Sequence, residues 1–239
     1  MADVTPARRS DEGSGTPTDS DGDDLDDALR AVDGRLPGRR GRATRQRLLE
    51  RTSEMLTTTS YRDVKVIDIA REAGTSPATF YQYFADVEGA ILVLAGDVAR
   101  SGSHLSDIIG EGSWTGADAS ATALELVDAF LAFWDHNRAV LRVMDLATDE
   151  GDGRFQKIRV GLLNEVTRAL AEVVGDAARA RQLPKGTDPM ATAGILVSML
   201  AHVAAHQYGF EFWGIRTKDI RTAMARQIAW GATGLDPTG

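Results

Sequence analysis

The chain contains no cysteine among its 239 residues. Disulfides, thiolate metal sites and cysteine nucleophiles are therefore excluded. Only seven prolines interrupt it, so long stretches are free to be helical. No G-x-S-x-G and no P-loop pattern occurs, which removes two common enzyme signatures. Asp128, Asp135, Asp145 and Asp149 are scattered at helical spacings, and such acids read as solvated faces. The chain reads as a non-enzyme that needs no cofactor and no metal. No apolar run reaches the roughly 18 residues of a membrane helix. The first residues are polar and acidic, unlike a signal peptide. The expectation is a cytoplasmic protein with no membrane partner.

The net charge is −8, at first sight unsuited to nucleic acid. The distribution is more informative than the total. Residues 1–34 hold ten acids against three arginines, a net −7. Residues 35–51 hold seven arginines against Glu50, a net +6. From 101 onward, thirteen bases face seventeen acids, a net −4. A basic module thus sits between an acidic tail and an acidic body. The tail, rich in Asp, Ser, Gly, Thr and Pro, buries too little apolar surface to offset chain entropy, so disorder is predicted for 1–34.

From Thr44 the pattern turns helical, with Leu48, Thr52, Met55, Leu56 and Thr59 on one face. A second helix is predicted from about Val66 to Ala73, ending at Gly74. A third starts at once, with Ser76 as N-cap and Pro77 at the first helical position. Phe80 and Phe84, four apart, should point inward. Thr79 and Gln82, with part of Tyr81 and Tyr83, should face out. Further helical patterns fill the rest, and no segment reads as a strand. The predicted class is all-α with about nine helices.

Two helices joined by a short glycine turn form the helix-turn-helix pattern. Its second helix can present side chains to base edges in the major groove. The stretch "VIDIAREAGTSPATFYQYFADVEGAIL" resembles the DNA-binding domain of TetR-family transcriptional regulators, through Ile69-Ala70, Ala73-Gly74 and Tyr81 to Phe84. Val87 stands where that family often carries a lysine, Lys65 at a helix start often held by Ser or Thr, and Ser60 where Gly is common. The specific resemblance spans about residues 42–100.

The resemblance implies a basic arm and DNA-binding domain over 35–88 and a helical ligand-binding and dimerisation domain over 89–239. It implies double-stranded operator DNA, a small-molecule effector and a second copy of the chain as partners. The candidate DNA contacts are Arg39, Arg40, Arg42, Arg45, Thr75, Ser76, Ala78, Thr79, Tyr81, Gln82 and Tyr83. Phe130, Phe133, Trp134, Met144 and Phe155, with Asn164, Met199 and His202, are the candidate lining of a largely apolar ligand pocket. Leu200, Val203, Ala204 and Ile228 are expected across a two-fold axis, because the family pairs its last two helices into a four-helix bundle. The implied function is a repressor released from its operator by a hydrophobic molecule. The alternative is a DNA-binding regulator or architectural protein without such a ligand.

Overall fold

The computed structural model describes residues 37–234; the acidic tail over 1–34 lies outside the described residues. All regular structure among those residues is helical, and no strand occurs among them. The all-α expectation holds. The helices are α1 (Arg39–Thr58), α2 (Val66–Glu72), α3 (Pro77–Tyr83), α4 (Val87–Ser101), α5 (His104–Glu111), α6 (Asp118–His136), α7 (Arg138–Asp149), α8 (Gly153–Arg179), α9 (Pro189–His206) and α10 (Thr217–Thr233). A 3-10 stretch, Gln207–Trp213, links the last two.

α1 begins five residues before the Thr44 at which its apolar pattern starts, so Arg39, Arg40, Arg42 and Arg45 of the expected arm lie within its first turns. Gly38 occupies the N-cap with no side-chain bond, and no acid stands in the first turn. One face of α1 carries Arg45, Leu48, Leu49, Thr52 and Leu56 into the interior. That face packs on α2, α3, α4 and α7.

α4 leaves the module formed with α1, α2 and α3 and enters the larger bundle, where it meets α7 and α8. α8 is the spine of that bundle, with neighbours in α4, α5, α7, α9 and α10. Phe155, Leu162, Val166, Leu170 and Val174 form its buried stripe. Its start is capped by Asp152, whose carboxylate accepts the Arg154 backbone N–H at 2.9 Å.

The expectation of no membrane-length apolar run does not hold. Pro189–Phe210 spans 22 residues at a mean hydropathy of 1.3, long and apolar enough by length and composition to cross a bilayer. In this fold the segment is a bundle helix. Ala193, Leu196, Val197, Leu200, Ala201 and Ala204 are buried, against α6, α8 and α10. Gly231 permits close passage of α10, since a Cβ there would lie 3.0 Å from Leu196. The opposite face of α9 is open, with Ile195 71% exposed.

Candidate nucleic-acid interface

The turn between α2 and α3 closes in two backbone bonds. The Thr75 N–H reaches the Ala70 carbonyl at 2.9 Å, and the Gly74 N–H reaches that of Arg71 at 3.0 Å. This is the pairing of a Schellman motif, and it requires a left-handed residue at the second position. Gly74 supplies it at φ +66°. Ala70, wholly buried, leaves room for the two helices to approach.

α3 then starts as its sequence predicts. The Ser76 hydroxyl accepts the Thr79 N–H at 3.2 Å, and Pro77 takes the first turn. Phe80 and Phe84 are buried, with ring centroids 5.3 Å apart, and pin one face to the core. Ser76, Ala78, Tyr81 and Gln82 are exposed, while Thr75, Thr79 and Tyr83 are half-buried. Tyr81 is 52% exposed. The Thr79 hydroxyl is within 3.0 Å of that of Ser76, so part of its capacity is used within the cap.

The start of α1 lies beside the end of α3. A Cβ at Gly41 would come within 3.1 Å of the Tyr83 hydroxyl. Arg39, Arg40 and Arg42 are exposed there. Three cations at a helix N-terminus oppose the macrodipole. Such a terminus favours an anion, and its free N–H groups are suited to one.

Arg45 departs from this row. It is 7% exposed, with its guanidinium 5.2 Å from the Phe84 ring centroid. Burial pushes its pKa down, and the charge of Asp97 pulls in the opposite direction. The helical period explains this placement, because Arg45 shares a face with Leu48, Leu49 and Thr52. Its stem and charge are held in the interior and not presented with the other arm arginines.

The sequence reading did not single out Arg62 as a contact and weighed Lys65 only as a departure from the family's cap. Both line a surface cleft of about 750 Å3 that also contains Tyr61, Ile67, Tyr81 and Glu88. Two bases beside an exposed tyrosine on the same face were legible only as isolated charges around the start of α2.

Among the described residues, the expected ligand-pocket residues are dispersed between the bundle core and its surface. Phe130, Phe133, Trp134, Met144 and Phe155 are all buried in the bundle core. Phe130 and Trp134 stack at 5.7 Å, and Phe133 lies 5.9 Å from the His104 ring. Asn164 is half-buried and receives the Arg168 Nε–H at 3.4 Å within α8. Met199 is half-buried against the core. His202 is exposed and lines a separate cavity of about 360 Å3 with Asp145, Asp149, Arg159 and His206. The physical reason is packing: aromatics at helical spacing meet neighbours from α4, α5, α8 and α10 and fill the space they enclose. Trp114 borders a cavity of about 450 Å3 beside α5 and the end of α8.

The expected interface set also divides. Leu200, Ala204 and Ile228 are at most 3% exposed within the single chain, so they belong to its own core. Val203 is half-buried. The apolar side chains left open on the same helices are Met190, Ile195 and Trp230.

A short, glycine-turned helix pair with one helix face locked to the core and the other open defines a DNA-binding regulator of the helix-turn-helix class. Residues 48–89 match the family model for bacterial regulatory proteins of the tetR family, and residues 105–239 that for the tetracyclin repressor-like C-terminal domain. The chain belongs to the TetR family of transcriptional regulators, which is not a family of enzymes. Solved structures share the fold at low identity. A protein of unknown function from Rhodococcus sp. RHA1 is 20% identical, covering 80% of this chain and 95% of its own, with a TM-score of 0.62. The fatty acid degradation regulator FadR from Bacillus halodurans is 17% identical, covering 84% and 98%, at 0.59. FadR from Bacillus subtilis, in complex with stearoyl-CoA, is 16% identical, covering 80% and 98%, at 0.56.

Proposed function

We propose that this protein is a dimeric repressor that binds an operator through α3 and the start of α1 and leaves it when a small molecule binds the C-terminal bundle. The observation that carries the DNA half is the open face of α3. Tyr81 and Gln82 project from a helix anchored by Phe80 and Phe84, beside three exposed arginines whose helix end favours an anion. Gln82 is suited to pair with an adenine edge, and Tyr81, Tyr83 and the arginines to phosphates. The ligand half rests on the family and on the stearoyl-CoA in the fold-mate from Bacillus subtilis. A molecule with a substantial apolar part is therefore favoured over a sugar. The filled aromatic core favours a second reading, a regulator without such a ligand.

The deciding experiment is footprinting over the gene's own neighbourhood, then anisotropy titration of the protected fragment and a scrambled one. Gln82→Ala should cost about 1–3 kcal/mol on the operator and little on scrambled DNA. Equal losses on both would give Gln82 a positioning role.

A further inference from the structure

A cleft of about 730 Å3 lies where the DNA-binding module meets the bundle. Ser53, Leu56 and Thr57 of α1 form one wall, Leu94, Asp97 and Val98 of α4 the floor, and the α6–α7 corner the other wall. The volume falls in the range of about 300–1,000 Å3 common for small-molecule sites. Leu56, Leu94, Val98 and Val140 give it an apolar part, Asp97 brings an acid to the floor, and Asp135, His136, Arg138 and Arg142 line the corner.

Those charges are unevenly committed. Asp97 is ion-paired with Arg100 on its own helix. Asp135 accepts the Tyr208 hydroxyl at 2.6 Å. Arg138 lies 4.3 Å over the Tyr208 ring, a contact that engages its face and leaves its N–H edge. Arg142 is exposed and has no ion pair or hydrogen bond among the described residues. Asn137 donates its side chain to the Phe133 carbonyl and caps nothing on α7. Asp97 is thus ion-paired, Asp135 is held by a hydroxyl, and the guanidinium N–H groups of Arg138 and Arg142 have no carboxylate partner among the described residues.

We propose that this cleft binds an amphipathic organic carboxylate, its apolar body on Leu56, Leu94, Val98 and Val140 and its anion on Arg142 and Arg138. The inference rests on the regulator reading above and locates its effector. One wall belongs to α1 and the other to α7, so an occupant acts directly on the placement of the DNA-binding module relative to the bundle. A ligand that prefers one placement shifts operator affinity by that preference. No space within the aromatic core is needed.

The test uses the full chain with its footprinted operator. Decanoate below its micellar concentration and 2-naphthoate are the probes, with decanol and 2-naphthol as neutral controls. At least one acid should change operator Kd tenfold or more, and its neutral analogue should not. Arg142→Gln should weaken that acid's own binding at least tenfold by calorimetry. Thr57→Trp, made at an exposed position to fill the cleft, should abolish the response. Both variants should keep wild-type circular dichroism, and Arg142→Gln should also keep the acid-free operator affinity. A response that survives both substitutions places the ligand elsewhere and overturns the site, while the regulator reading stands. A wild-type protein that binds operator yet ignores both acids, in anisotropy and in calorimetry, overturns it too. If no operator is found, the regulator reading fails, and calorimetry of the acids on wild type and Arg142→Gln still decides the site.

Discussion

The Tyr61 hydroxyl donates to the Glu150 carboxylate at 3.0 Å, across 89 residues of sequence. Arg62 pairs with the same carboxylate. Four residues further on, Arg154 reaches Glu88 at the start of α4, at 3.1 Å. The corner between α7 and α8 therefore holds the DNA-binding module at two points. Each exposed ion pair contributes little by itself, about 0–1 kcal/mol. Their shared consequence is geometric, because Arg62 and Glu88 border the same cleft as Tyr81.

Glu150→Gln should free Arg62 to meet phosphate. DNA binding should tighten, and the slope of log affinity against log salt should steepen by about 0.9 for one added contact. Urea denaturation should register a loss of about 0.5–1.5 kcal/mol from the weakened hydrogen bonds. An unchanged slope would mean that Arg62 does not reach the DNA.

The triple variant Arg39→Ala, Arg40→Ala, Arg42→Ala tests the start of α1. All three side chains are exposed, so stability should hardly change. The salt slope should flatten by about 2–3 if each arginine neutralises one phosphate. Operator titrations at several salt concentrations give this directly, and a wild-type slope would remove the helix end from the interface.

Acid should weaken the start of α8. The Asp152 pKa is lowered from 3.8 to about 2, first by the side-chain hydrogen bond from Arg154 and then by the Arg154 backbone N–H. A carboxylate whose folded pKa is depressed stabilises the fold fully above its unfolded value and loses that contribution as pH falls through the folded one. Urea midpoints should therefore fall between about pH 4 and pH 2, in the window set by those two values. Asp152→Asn should have a shallower decline over this window. An identical decline in the variant would assign the acid sensitivity to other carboxylates.

Ile195→Glu combined with Trp230→Glu should convert a dimer into a folded monomer, because both side chains are open on α9 and α10, at 71% and 58% exposure. Leu200→Ala should instead destabilise the chain itself by about 2–5 kcal/mol, as a wholly buried leucine does when truncated. Sedimentation and thermal melts separate the two effects. A double variant that remains dimeric at micromolar concentration would move the interface off this face.

Much of the DNA-binding module was legible in the sequence because its signals are local. Gly74 at a helix end, Ser76–Pro77 at a helix start, and Phe80 with Phe84 four apart each act within one turn. Arg45 was grouped with the exposed arginines because composition marks it as part of a basic run, although it lies three residues before Leu48 on the inner face of α1.

The sequence by itself determined the all-α class, the turn between α2 and α3, and the side of α3 that stays open. Tertiary structure alone decided what the apolar residues of the C-terminal part face. Phe130, Trp134 and Phe155 fill a core, Leu200 and Ile228 are covered by their own chain, and Ile195 and Trp230 are left open. It also decided that Tyr61 meets Glu150 and that α1, α4 and the α6–α7 corner enclose a cleft. The physical reason is that periodicity gives the direction in which a side chain leaves its helix, whereas burial depends on how many other helices pack against that direction, and those come from distant parts of the chain.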